Sequence, residues 1–348
     1  MSTLKKKIHI ELIRIGAALL VIFNHTGNMG FELYASYPIG GVNYGILIFV
    51  SIFCKVAVPL FLMISGALLL NKDITIKEIW CVRIPRILAV LLITSLVYYL
   101  YSIKDDLSSF QLAVFVRSLY SNGISVHLWY LYAYIAFLMC VPFLRALTKN
   151  FTPSTYQYLV LLYVIFALLR VVDEKLLSVG MTQRLNPSWL WSDIVIYPLV
   201  GYYLERVLDS KRKLQKFVVV LLGFVSLLLA AWITHRNFVK IGSTTQYYHS
   251  FLILMPCCAT YIFAKDLFDK VKVNKYLEKV ITTLGGCTFG VYLMHLVIPV
   301  RGAVINLLYN TLRLSLPVAV ACYCIIIFGA CAIVTYILKL VPGVKKLL

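Results

Sequence analysis

Arg14 and His25 stand eleven residues apart in the segment RIGAALLVIFNH, which is otherwise apolar apart from one asparagine. On an α-helix that separation is a rise of about 16.5 Å and a rotation about 20° beyond three full turns, so guanidinium and imidazole share a face. Glu11, one turn before Arg14, lies near the same face and can pair with it, which makes a cation tolerable inside a bilayer. An imidazole titrates near neutral pH, so His25 can take a proton from a hydroxyl and return it to a leaving group. The bland alternative is a buried Glu11–Arg14 ion pair with His25 capping the helix end in water. Ionisable groups inside membranes are functional more often than not, which favours chemistry.

The elements that must position these residues follow from composition. The 348 residues have only 14% charged side chains and a mean hydropathy of +0.88, the profile of an integral membrane protein. Ten segments hold enough apolar sequence to cross a bilayer as helices: 8–28, 44–70, 84–104, 127–147, 156–173, 189–205, 216–234, 248–268, 280–300 and 316–338. Period-two alternation is absent, which excludes a barrel and predicts an all-α polytopic protein. With ten crossings both termini share a side. About two thirds of the 33 lysines and arginines then fall on the side of the N-terminus, which makes both termini cytoplasmic. The net charge of +19 is thereby explained by topology, and nucleic acid is not expected as a partner. The basic start MSTLKKKIHI leads into a stretch containing Glu11 and Arg14 with no small-residue cleavage site, so it reads as a retained first helix. No appended soluble domain or repeat is apparent, and residues 1–348 read as one membrane domain in the plasma membrane.

Other residues could serve the same chemistry. Arg83 and Arg86 flank Ile84 and Pro85 at the cytoplasmic start of the third segment, suited either to clamping phosphates or to anchoring topology. His127 with Trp129, and Tyr292 with His295, approach the outer face and could orient a substrate there. His235 and His249 read as interfacial. Ser65 in MISG reads more readily as close helix packing than as a nucleophile. Lys55, four residues before Pro59, has no evident role, and Asn24, which projects about 100° from His25 on a helix, receives none. Eight of the nine cysteines lie within the apolar segments without metal-ligand spacing, so packing is expected and no metal. Outside, an amphipathic stretch near Ser108–Tyr120 suits the interface, while the polar connections 173–188 and 234–249 could touch an external substrate.

Arg14 with His25, then KVAVPLFLMISGALLL (55–70), RIPR (83–86), HLWYLYAYIAFLMCVPFL (127–144) and LGGCTFGVYLMH (284–295), together resemble the acyltransferase-3 family of integral membrane acyltransferases. The resemblance runs in order across nearly the whole chain. It implies transfer of an acyl group, commonly acetyl, from cytoplasmic acetyl-CoA or another acyl-CoA to a hydroxyl of an extracytoplasmic glycan or lipid-linked sugar. His25 would be the general base and Arg14 its companion in the site. Arg83, Arg86 and Arg14 would hold coenzyme A, and His127, Trp129, Tyr292, His295 and Glu11 would meet substrate. Membrane lipids are further partners, and a homo-oligomer is left open. The family also includes the membrane half of a vancomycin-resistance serine racemase, for which transport is proposed, so a transporter or flippase using the same buried polar groups is the alternative.

Overall fold

The computed structural model describes residues 7–121, 123–173, 192–208, 212–247, 250–268, 273–297 and 300–348. Loop 174–188 and His249 from the sequence reading therefore lie outside the described residues. Among the described residues there is no strand, and every one of the ten segments contains helix. In chain order the helices are α1 (Ile8–Asn24), α2 (Val42–Phe53), α3 (Ala57–Leu69), α4 (Ile84–Ser102), the amphipathic α5 (Leu112–Tyr120), α6 (Trp129–Asn150) and α7 (Pro153–Val172). They continue with α8 (Asp193–Tyr202), α9 (Lys213–Ile241), α10 (Ser250–Phe268), α11 (Lys275–Met294), α12 (Arg301–Asn306), α13 (Leu316–Leu338) and α14 (Pro342–Leu347). Among the described residues five helical runs are long and apolar enough to cross a membrane: Val42–Leu69, Ile76–Ser102, Val126–Asn150, Lys213–Ile241 and Leu316–Leu338. Their outward faces stay apolar; on α9, Phe217, Leu221, Phe224 and Leu228 are all exposed, the surface expected of a membrane protein in contact with lipid.

Proline accompanies two of the breaks in regular pitch. Pro59 has no N–H to give the Lys55 carbonyl, and between α2 and α3 the chain tightens into a 3₁₀ turn, Cys54–Val56. Pro85 likewise cannot bond the Cys81 carbonyl, and the chain before α4 widens into a π turn, Ile79–Arg83. The predicted end of the seventh segment near residue 234 is too early. α9 continues to Ile241, where Gly242 takes a left-handed conformation (φ 65°). Those extra two turns are held because Phe238 packs its ring edge-on against Tyr34 and beside Tyr44.

α1 packs against α3, α10, α11 and α13, which makes it the central post of the bundle. Its first residues are fixed by a distant carboxylate, the buried Glu205 in the π turn Tyr203–Val207. Glu205 takes Lys7 Nζ, His9 Nε2 at 3.1 Å and the Tyr261 hydroxyl at 2.9 Å, with Lys265 Nζ at 3.9 Å. Such a buried carboxylate is tolerable only when surrounded in this way by donors and cations. α3 and α8 meet backbone to backbone. A Cβ at Gly66 would overlap the Pro198 main chain, and one at Gly201 would overlap that of Met63. The packing expected at MISG is thus carried by the glycine, while the Ser65 hydroxyl donates to the Phe61 carbonyl one turn back at 2.8 Å.

Candidate functional site

A cavity of about 520 Å³ runs between α1, α3, α4, α6, α8 and α11. Arg14 and Arg86 line one end of it, and His25, Asn24, Lys55, His127 and Trp129 line the other. Between them the wall is mostly apolar or phenolic, with Phe61, Ile64, Tyr130 and Tyr134, and Ser65, Asp193 and Thr288 also line the cavity. The eleven-residue spacing of Arg14 and His25 on α1 sets the distance between the two polar ends at about 16 Å of helix rise.

At the His25 end three imidazoles converge. The His25 ring centroid lies 5.0 Å from that of His295 and 6.3 Å from that of His127, and the last two are 5.1 Å apart. His25 is the residue at which α1 stops being helical (φ −99°, ψ 11°), and its Nδ1 sits 2.8 Å from the Val21 carbonyl and 3.2 Å from His295 Nε2. A carbonyl can only accept, so the pattern assigns the proton of neutral His25 to Nδ1 and leaves the lone pair on Nε2. His295 repeats the arrangement, with Nδ1 2.8 Å from the Tyr292 carbonyl, so its Nε2 is an acceptor facing His25. His295 does not line the cavity; it stands behind His25, buried, and fixes the ring. Arg301 donates from Nη1 to the His25 carbonyl at 2.8 Å, satisfying an orphan acceptor at the negative end of the α1 dipole.

His127 is buried with Nδ1 2.9 Å from the Ser125 hydroxyl, and its carbonyl accepts from the Tyr292 hydroxyl at 2.5 Å. Its Nε2 is buried without a partner among the described residues, a costly state for a polar atom in a cavity wall unless something else binds there. Trp129 is half exposed at the same end, and Tyr292 lines the cavity. Two lining residues had no role in the sequence reading. Asn24 Oδ1 accepts from Lys55 Nζ at 2.8 Å, and the same ammonium sits 4.2 Å over the centroid of the Phe31 ring. Phe31 is itself held, its N–H donating to Thr26 Oγ1 at 2.8 Å and its carbonyl accepting from the Ser51 hydroxyl.

At the opposite end Arg14 Nη1 donates to both Glu11 oxygens, at 3.0 and 3.2 Å, which leaves Nη2 and Nε outside that pair. Glu11 is buried and stands behind Arg14, in contact with α11 where Gly285 has no side chain. Arg86 donates from Nε and Nη2 to the Leu347 carbonyl, at 3.1 and 3.0 Å, and Leu348 closes the wall beside it. Arg83 is engaged elsewhere: its Nε and Nη2 bond Glu78 at 3.0 and 2.8 Å, and it does not line the cavity. Five residues separate that pair, the interval that a π turn stacks on one face. His235 lies in another cluster, its Nδ1 2.8 Å from the Tyr44 hydroxyl. Among the described residues no group of three His, Cys, Asp or Glu side chains is arranged to hold a metal.

The arrangement can hold anionic groups at one end and accept a proton at the other, with a mostly apolar passage between. A family model described as an acyltransferase domain matches residues 8–336. Comparison with curated proteins and with solved structures returned no match.

Proposed function

Because the chain belongs to the acyltransferase-3 family, as the match over residues 8–336 shows, we propose that it moves a short acyl group, acetyl in the simplest case, from acyl-CoA to a hydroxyl of a glycan or lipid-linked sugar across the membrane. One observation carries this reading: a single cavity joins Arg14 and Arg86 at one end to the proton-accepting Nε2 of His25 at the other. Ten helical crossings with both termini cytoplasmic, in the plasma membrane, turn the arginine end toward the soluble donor and the histidine end toward the acceptor.

The phosphates of coenzyme A need cations, and the guanidinium groups of Arg14 and Arg86 supply them. The pantetheine arm then lies along the mostly apolar passage with its thioester toward His25. As the acceptor oxygen attacks the thioester carbonyl carbon, its proton passes to His25 Nε2. Collapse breaks the carbon–sulfur bond, and the thiolate takes that proton and leaves as free CoA. His127 Nε2, Trp129 and Tyr292 orient the acceptor, His295 and the Val21 carbonyl hold the base in its tautomer, and Arg301 holds its backbone carbonyl.

Protein reconstituted in vesicles and given radiolabelled acetyl-CoA on one face and candidate glycans on the other should release CoA and label a glycan. Absence of any acyl-CoA affinity would overturn the reading, and movement of donor without CoA release would favour transport. The arginines differ in expected weight. Arg86→Ala should weaken acyl-CoA binding about tenfold or more, the scale of lost charge-assisted hydrogen bonds. Arg83→Ala should change it less, because the Glu78 carboxylate pairs with that guanidinium away from the cavity, whereas Arg86 lines it and bonds only a neutral carbonyl; calorimetric titration of both variants decides this.

A further inference from the structure

Three hydroxyls on the cavity wall have no part in the transfer scheme so far. Tyr130 and Tyr134 stand one turn apart on α6, on one face of that helix, and Ser65 belongs to α3; all three line the cavity. The Ser65 hydroxyl is within hydrogen-bonding reach of both phenols. Its own hydrogen is committed to the Phe61 carbonyl at 2.8 Å, so to a phenol or a ligand it can only accept. Neighbouring rings hold the phenols: the Tyr130 centroid lies 5.6 Å from that of Tyr292, and the Tyr134 centroid 5.7 Å from that of Phe137. α6 begins just after His127, so Tyr130 is nearer the histidine end. Tyr134 lies about 6 Å of helix rise further along, within electrostatic reach of Arg14 and Arg86.

A pantetheine arm is not a plain apolar chain. Between phosphate and sulfur it carries two secondary amides, each with a carbonyl that accepts and an N–H that donates. Their carbonyl carbons are four bonds apart, about 5 Å when extended. One turn of α6 presents two phenolic O–H groups on a similar interval, and a phenol is the donor that an amide carbonyl needs. We propose that Tyr130, Tyr134 and Ser65 recognise the pantetheine arm, the phenols donating to its two amide carbonyls and Ser65 accepting from an amide N–H, an inference that rests on the transfer reading above. The passage then measures the donor. With phosphates on Arg14 and Arg86 and both amides held, the remaining length of the arm sets the thioester beside His25. A thioester on a carrier without amides leaves the phenols unanswered, which selects against it.

The test measures binding of two probes to reconstituted protein: acetyl-CoA, and 3′-phosphoadenosine 5′-diphosphate, which keeps the phosphates and lacks the arm. Tyr130→Phe, Tyr134→Phe and Ser65→Ala each remove one hydroxyl and leave the rest of the side chain's shape. Each should raise the acetyl-CoA Kd about threefold to tenfold, the scale of one hydrogen bond, and the nucleotide Kd less than about twofold. An unchanged acetyl-CoA Kd when both tyrosines are replaced by phenylalanine would overturn the proposal. So would equal weakening of both probes, the pattern of a merely structural role, or a raised acceptor KM alone, which would give the hydroxyls to the acceptor. Should the tyrosine variants fail to fold, Ser65→Ala decides, since it removes no backbone hydrogen bond from α3; an unchanged acetyl-CoA Kd there overturns the proposal too. If the unaltered protein binds no acetyl-CoA, the transfer reading fails instead, which is a distinct result.

Discussion

His25→Ala is expected to lower the rate of acyl transfer about 10²–10⁴-fold, the range that a positioned general base supplies. Acyl-CoA affinity should hardly change, because the arginines that would bind its phosphates lie at the other end of the cavity. His295→Ala removes only the group behind the base; the Val21 carbonyl still holds Nδ1, so the loss should be smaller and confined to kcat. Single-turnover release of CoA, measured beside acyl-CoA binding, separates these cases. Normal CoA release by His25→Ala would take His25 out of the chemistry.

Gly66→Val is expected to destabilise the protein by about 3 kcal/mol, the upper end of what overpacking costs. The obstructing atoms belong to the Pro198 main chain, and backbone cannot rotate away as a side chain can. α3 and α8 would have to separate, and both contribute to the cavity wall through Ser65 and Tyr197, so transfer should fall with the folded fraction. Gly329→Ala is the control, since a Cβ there meets nothing within 4 Å. Thermal unfolding of the three proteins in one detergent tests the difference; equal midpoints would show that the interface relaxes.

The helical segments were legible because long apolar runs need nothing beyond their own sequence to declare themselves. Arg14 and His25 were legible as a pair for a related reason: a fixed pitch converts spacing into direction, and the structure puts both on one cavity. Where the pitch changes, that reasoning stops. The 100° step that set Asn24 aside holds only inside a helix, whereas His25 has already left helical geometry and both side chains reach the cavity wall. Arg83 and Arg86 looked equivalent as residues one turn apart, but the π turn draws Arg83 to Glu78 and leaves Arg86 at the cavity. Lys55 could be noticed as a charge beside a proline, though its partners depend on a turn after α1 that has no periodic signature. The contact of His295 with His25 crosses 270 positions, a distance over which local pattern carries no information.

That same reach has a consequence for how the chain is made. The residues that complete α1 arrive late in synthesis: Glu205 is 198 positions after Lys7 and 196 after His9, and Arg301 is 276 after His25. Glu11 and Arg14 neutralise one another at once, three residues apart, so the first helix can enter the bilayer carrying them. Its two ends cannot be satisfied until nearly the whole polypeptide has left the ribosome. The first helix made is therefore among the last to settle, and a nascent chain halted before His295 would hold all of α1 with neither His295 beside its terminal imidazole nor Arg301 on its last carbonyl.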